Sequence, residues 1–199
     1  MQDINSSQLK SQVIIDMNSS NIAGKSQVAK SRKDLQDKEI KDLFIPLSVK
    51  KVYIDGQSLL TANGKFRKLR TQGNGDLVRD IIYRLAVEYV EAVERVSLTL
   101  IYDKTEEKTE VVVCKEGKLE VKTVLATPNY QNSKENMIRW AMELGSDSIK
   151  EFAFVSTSKE IKKKVLEVGA EDIISPSNWF EIVKTAIGVK KYEEITLSN

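Results

Sequence analysis

The chain has 199 residues, 41% hydrophobic and 30% charged, and its 31 Lys and Arg against 29 Asp and Glu leave a net charge of +2. That is enough for one ordinary domain and too little for two comfortable ones, and global charge carries no argument for nucleic acid. The single cysteine, Cys114, excludes an internal disulfide framework, and the lack of histidine excludes His–Cys zinc sites, Ser–His and Cys–His triads and histidine bases.

Residues 1–48 are rich in Ser, Gln, Asn, Lys and Asp, with seven Lys or Arg against six acids. Such a segment has little apolar surface to offset its ordering entropy, so it reads as a flexible polar tail rather than a basic arm. Residues 28–44 carry Leu35, Ile40, Leu43 and Phe44 at spacings that suit a short amphipathic helix, which Pro46 would stop. No apolar run approaches the roughly 18 residues of a membrane span. The apolar run at residues 13–15 is too short for a secretory leader, and the expected location is cytoplasmic or nuclear.

From residue 49 to about 190 the pattern becomes regular. Residues 51–55 form a short apolar run closing on Asp55, followed by Gly56, which predicts a buried strand and a turn. Residues 61–76 read as a polar glycine-containing loop. Residues 76–95 keep a 3.6-residue apolar period through Ile81, Leu85, Tyr89 and Val93, and predict a long helix. A strand over 96–102 ends at Asp103. Residues 109–114 and 119–125 are β-rich and flank a turn, which predicts a hairpin. A helix over 133–144 has Ser133 as its expected cap. A strand over 152–155 precedes a helix that Thr157 and Glu160 would cap and Gly169 would end. Residues 172–175 form a last short strand, and Ser175 with Pro176 opens a helix to about 187. Strands separated by helices need crossovers, so the expected fold is α/β with a central, mainly parallel sheet between helical layers.

Ligands of open parallel sheets bind beyond the carboxyl ends of the strands. Asp55 and Asp103 close two strands, and Glu135 falls in the first turn of a helix. If the three meet, their charges need neutralising, and a hard cation such as Mg²⁺ or Mn²⁺ does that. Each acid also has an ordinary reading, as a cap, a turn residue or a helix N-terminal acid.

In their order these segments resemble an NYN domain, the PIN-like nuclease family that includes the YacP-type ribonucleases. Val52-Tyr-Ile-Asp-Gly56 resembles the family's first strand, and Leu100-Ile-Tyr-Asp103 its next strand with a terminal acid. Ser133-Lys-Glu-Asn-Met-Ile138 resembles its Ala-Asp-Asp-x-Ile helix start, with Glu135 and Asn136 on the acid positions. Phe154-Val-Ser-Thr-Ser-Lys-Glu160 resembles its Val-Val-Thr-Ser-Asp-Arg-Glu segment, with Ser158 where an acid is usual. Residues 169–180 resemble the closing segment. The resemblance covers residues 50–187 and implies a PIN-like, Rossmann-like three-layer fold and metal-dependent RNA cleavage. Asp55, Asp103 and Glu135 would hold Mg²⁺ or Mn²⁺, and Asn136 and Ser158 would orient water. Because Asn136 and Ser158 bring no charge, the alternative is a catalytically degenerate domain that binds RNA or joins a protein assembly.

Lys65, Arg67, Lys68 and Arg70 place four cations in six residues just after the Asp55 segment. They can hold RNA phosphates with Phe66 stacking on a base, or form a solvated loop with Phe66 and Leu69 tucked inward. Lys162–Lys164 reads as a solvated helix face, Trp140 and Trp179 as core, and Cys114 as an inert residue of an apolar strand. A third reading, a nucleotide-binding module, is weakened by the lack of a glycine-rich phosphate loop after a strand.

Overall fold

A computed structural model describes residues 44–103, 107–114, 117–125, 132–171 and 173–197, with side chains omitted at 107–110 and 125. The expected tail lies outside the described residues as far as residue 43, and so does the expected helix over 28–44 apart from Phe44.

Strand β1 (Lys51–Asp55) runs directly into helix α1 (Gly56–Leu60). Helix α2 (Gly64–Thr71) and the long α3 (Gly75–Val93) follow. Then come β2 (Ser97–Tyr102), β3 (Glu107–Cys114), β4 (Gly117–Leu125), α4 (Ser133–Ser148), a 3₁₀ turn and β5 (Phe152–Val155). Helix α5 (Lys159–Val168), β6 (Ile173–Ile174), α6 (Pro176–Ile187) and α7 (Val189–Leu197) complete the described chain. The six strands form one sheet in the order β3-β4-β2-β1-β5-β6. Every pairing is parallel except β3 with β4, the expected hairpin.

Alternation along the central strands divides the core into two layers. Val52 and Ile54 of β1 and Leu98, Leu100 and Tyr102 of β2 join residues of α1, α2, α3, α6 and α7. Tyr53, Ile101 and Phe154 belong to a second cluster with Met137 and Ala141 of α4 and Ile161 and Val165 of α5. The architecture is therefore the expected three-layer α/β sandwich. Aromatic pairs secure both layers, with Tyr89 against Trp179 at 5.0 Å and Tyr53 against the half-buried Trp140 at 5.3 Å. Cys114, half-buried, directs its thiol at the Val90 carbonyl.

Several local expectations change. Residues 64–71 of the expected loop are helix α2, because the Asn63 side chain accepts from the Phe66 N–H at 2.8 Å and caps it. Helix α4 is capped by Asn132 rather than Ser133 and continues to Ser148 across a kink at Gly145, whose φ is 69°. Helix α5 is capped by Ser158, not Thr157. The fold also reaches past residues 49 and 190. Ile45 and Ile195 are in the core, and the Arg95 guanidinium gathers the carbonyls of Ile45, Pro46 and Val49.

Candidate functional site

Asp55 ends β1 and at the same time caps α1, so its side chain is fixed at the carboxyl end of the sheet. The strand delivers the carboxylate, and the immediate helix start turns two N–H groups toward it. One oxygen, Oδ1, accepts from the backbone N–H of Gln57 at 3.1 Å and of Ser58 at 3.3 Å. The other, Oδ2, accepts from the hydroxyls of Ser58 at 2.5 Å and Ser156 at 2.8 Å. The carboxylate is 5% exposed and its acceptor positions are filled from within the chain.

The two serines are held in turn. Ser58 Oγ accepts from the Thr157 N–H at 3.1 Å and lies 3.0 Å from Thr157 Oγ1. Ser156 Oγ accepts from the Ser158 N–H at 3.0 Å. Asp55 thereby joins α1 to the connection between β5 and α5. Serine and threonine are suited to this because one hydroxyl both donates and accepts.

Asp103, exposed just past β2, accepts from the buried Ser133 N–H at 2.6 Å. It ties the end of β2 to the start of α4, where a negative charge is favourable. Glu135 lies exposed in the first turn of α4. Asn136, beside it, is 1% exposed, and its Oδ1 has no hydrogen-bond partner among the described residues. Ser158 serves as the cap of α5. Lys134 reaches Glu160 at 2.6 Å and binds the first turn of α4 to that of α5.

The parallel strands place Asp55 and Asp103 at one end of the sheet, as expected, but the acids are not assembled into one site. Among the described residues no three Asp, Glu or Cys side chains stand where they can hold a metal ion. Mg²⁺ takes carboxylate lone pairs in a near-octahedral shell. The Asp55 oxygens are already filled by hydroxyls and N–H groups, Asp103 accepts from α4, and Asn136 is neutral. As placed, Asp55 would have to exchange its hydroxyl partners before it could share a cation with Asp103 and Glu135.

The basic segment is a helix and not a loop. Phe66 is buried against Phe180 at 5.5 Å, so it is a core residue and not a stacking platform. Lys65 donates to the Thr196 carbonyl, and Arg67 Nη2 to the Thr61 carbonyl at 3.3 Å. Arg67, Lys68 and Arg70 are exposed on α2. Lys162–Lys164 is the solvated face the sequence implies.

The sequence reading missed Ser58, Ser156, Thr157, Tyr102 and Arg79. The Tyr102 ring lies against Gly56 and beneath the Arg79 guanidinium, 5.9 Å from its centroid. Complete burial pushes the Tyr102 phenol well above its ordinary pKa, and its hydroxyl has no partner among the described residues. The signal available was Ser58 three residues after Asp55, with two hydroxyl residues at the end of the adjoining strand.

Among the described residues no helix is long and apolar enough to cross a membrane. No protein-family model and no curated protein matches the sequence. Among solved structures the chain is similar to a crystal structure of a point mutant of Rae1 (YacP) from Bacillus subtilis. The match has a TM-score of 0.55 at 13% identity, over 75% of this chain and 84% of that one. At that identity the likeness is one of fold: this chain shares the three-layer α/β architecture of a YacP protein.

Proposed function

We propose that this chain is an RNA-acting domain of the NYN, PIN-like kind, which binds RNA at the carboxyl end of its sheet. The observation that carries the reading is the agreement of two likenesses. The order of short motifs resembles YacP-type proteins, and the fold is similar to that of a protein named YacP. The exposed Arg67, Lys68 and Arg70 on α2 supply cations for phosphates.

The arrangement of the acids favours binding over cleavage. Asp55 is filled by its own hydroxyl partners, and Asn136 and Ser158 bring no charge. The second reading, metal-dependent ribonuclease, is favoured by the same family resemblance. It requires Ser58 and Ser156 to turn away from Asp55 when Mg²⁺ or Mn²⁺ arrives.

The test is to incubate the purified full chain with structured and single-stranded RNA, with Mg²⁺, with Mn²⁺ and with chelator. We expect retention of RNA without cleavage in all three, and equal retention by Asp55→Asn. Cleavage that needs Mn²⁺ and disappears in Asp55→Asn establishes the ribonuclease reading instead. Failure to retain any RNA overturns both.

A further inference from the structure

We infer that Arg79 is a phosphate-contacting residue that extends the basic surface of α2 to the Asp55 end of the sheet. The inference rests on the RNA reading above and goes beyond the cations of α2 that the sequence singles out.

Arg79 lies one turn into α3, and its side chain is 23% exposed. Two contacts fix it: an ion pair from Nη2 to the exposed Asp76 carboxylate, and the ring of Tyr102 beneath the guanidinium. A guanidinium carries five N–H donors in a rigid fork, and a ring face satisfies none of them in the plane. A cation–π contact at this distance leaves the donors that Asp76 does not take for a planar, bidentate partner such as phosphate.

Its position decides which surface it serves. Tyr102 ends β2 and touches Gly56, the first residue of α1, and Gly56 follows Asp55. Arg67 is fastened to Thr61, the residue that closes α1 at its other end. Arg79 and Arg67 thus flank the two ends of a five-residue helix, which spans about 7.5 Å at 1.5 Å per residue. Gly56, Ser58, Leu59 and Leu60 of α1 are buried, so the contact offered to RNA at this end of the sheet is the partly exposed guanidinium of Arg79 and not the helix itself. The Asp55 charge at that end is already dispersed over four hydrogen bonds. A phosphate approaching Arg79 does not meet the Asp55 carboxylate, which is buried; it shares the guanidinium with the exposed Asp76 carboxylate or displaces it.

The experiment measures binding of a fluorescein-labelled oligouridylate to the full chain by anisotropy over a range of salt concentrations. Arg79→Gln keeps the stem on the Tyr102 ring and removes the charge. Lys163→Gln, on the solvated face of α5, is the control for net charge. Melting temperatures of both are recorded, so that loss of fold is distinguished from loss of contact. We expect Arg79→Gln to weaken binding by about tenfold. It should also flatten the slope of log affinity against log salt by about 0.7, the value for one single-strand phosphate contact. Lys163→Gln should change neither. If the wild-type chain binds and Arg79→Gln has the wild-type slope and affinity, Arg79 only stacks and the inference fails. Equal weakening by the two variants also overturns it, since the effect is then one of overall charge. If the wild-type chain binds no RNA, the RNA reading itself is overturned.

Discussion

The ring of Tyr102 occupies the space where a side chain at Gly56 would begin: a Cβ at Gly56 would clash with Tyr102 Cε1. The Asp-Gly pair at the end of β1 is thus dictated by a neighbour on β2 as well as by the turn. Gly56→Ala must displace a fully buried aromatic ring that lies under Arg79. We expect a loss of about 1–3 kcal/mol, the usual range for overpacking a core. Urea unfolding measures it, and an unchanged midpoint would show that the ring moves aside freely.

Asp55→Asn should destabilise the domain. A cluster of unneutralised carboxylates would gain stability on losing one charge, and that is the outcome the sequence alone suggests in the absence of a cation. The structure reverses the sign, because the carboxylate accepts four hydrogen bonds while nearly buried. Hydrogen bonds to a charged group contribute about 1.5–3 kcal/mol each, and an amide retains some of them. A net loss of about 2–3 kcal/mol is expected. The loss should be the same with chelator and with Mn²⁺. A rise in melting temperature, or a loss seen only with the metal, contradicts the hydroxyl-bound arrangement.

Tyr102→Phe should be neutral or stabilising. The Tyr102 hydroxyl is buried with no partner among the described residues, so its removal deletes a desolvated polar group and keeps the ring over Gly56. A gain of up to about 1 kcal/mol is expected in chemical unfolding. A clear loss would reveal a partner for that hydroxyl.

Alkali should destabilise the domain through its buried phenols. Burial raises the Tyr89 and Tyr192 pKa values from 10.0 to about 12, and raises that of Tyr102 further. A phenol whose folded pKa lies above its unfolded value contributes stability that is present below the unfolded pKa. That contribution is lost as pH rises through the folded one. Melting temperature should therefore fall from about pH 10 to about pH 12, with Tyr89→Phe flattening the fall. A melting temperature that holds steady across that window would mean these phenols ionise as freely in the fold as in water.

What the sequence disclosed follows its periodicities. The long apolar stripe of α3 and the apolar runs of β1, β2 and β5 were legible because burial on one or both faces leaves a repeating pattern. Helix α2 was missed because Gly64 and four cations hide a single buried residue, Phe66, behind one capping asparagine. The end of the sheet was found, and Asp55 and Asp103 do lie there. What Asp55 binds was legible only in part: Ser58 stands three residues on, but Ser156 reaches the same carboxylate only through a strand pairing across about a hundred positions. Tyr102 and Gly56 are likewise joined only by the β1–β2 pairing. No local pattern encodes such a contact.

The place of β1 in the sheet also constrains the order in which the chain can complete itself. This strand lies between β2 and β5, and one of the two hydroxyls on Asp55 comes from beyond β5. During synthesis, β1, α3, β2 and the hairpin can gather on one side while the other edge of β1 stays open. The Asp55 oxygen that awaits Ser156 stays only partly bonded until 101 further residues have emerged. Contacts of that sequence separation close slowly and late. Protection of the Gln57 and Ser58 amides against hydrogen exchange should therefore arise with β5, well after the long helix is protected. One of the two central strands of the finished sheet is among the last to be secured on both edges.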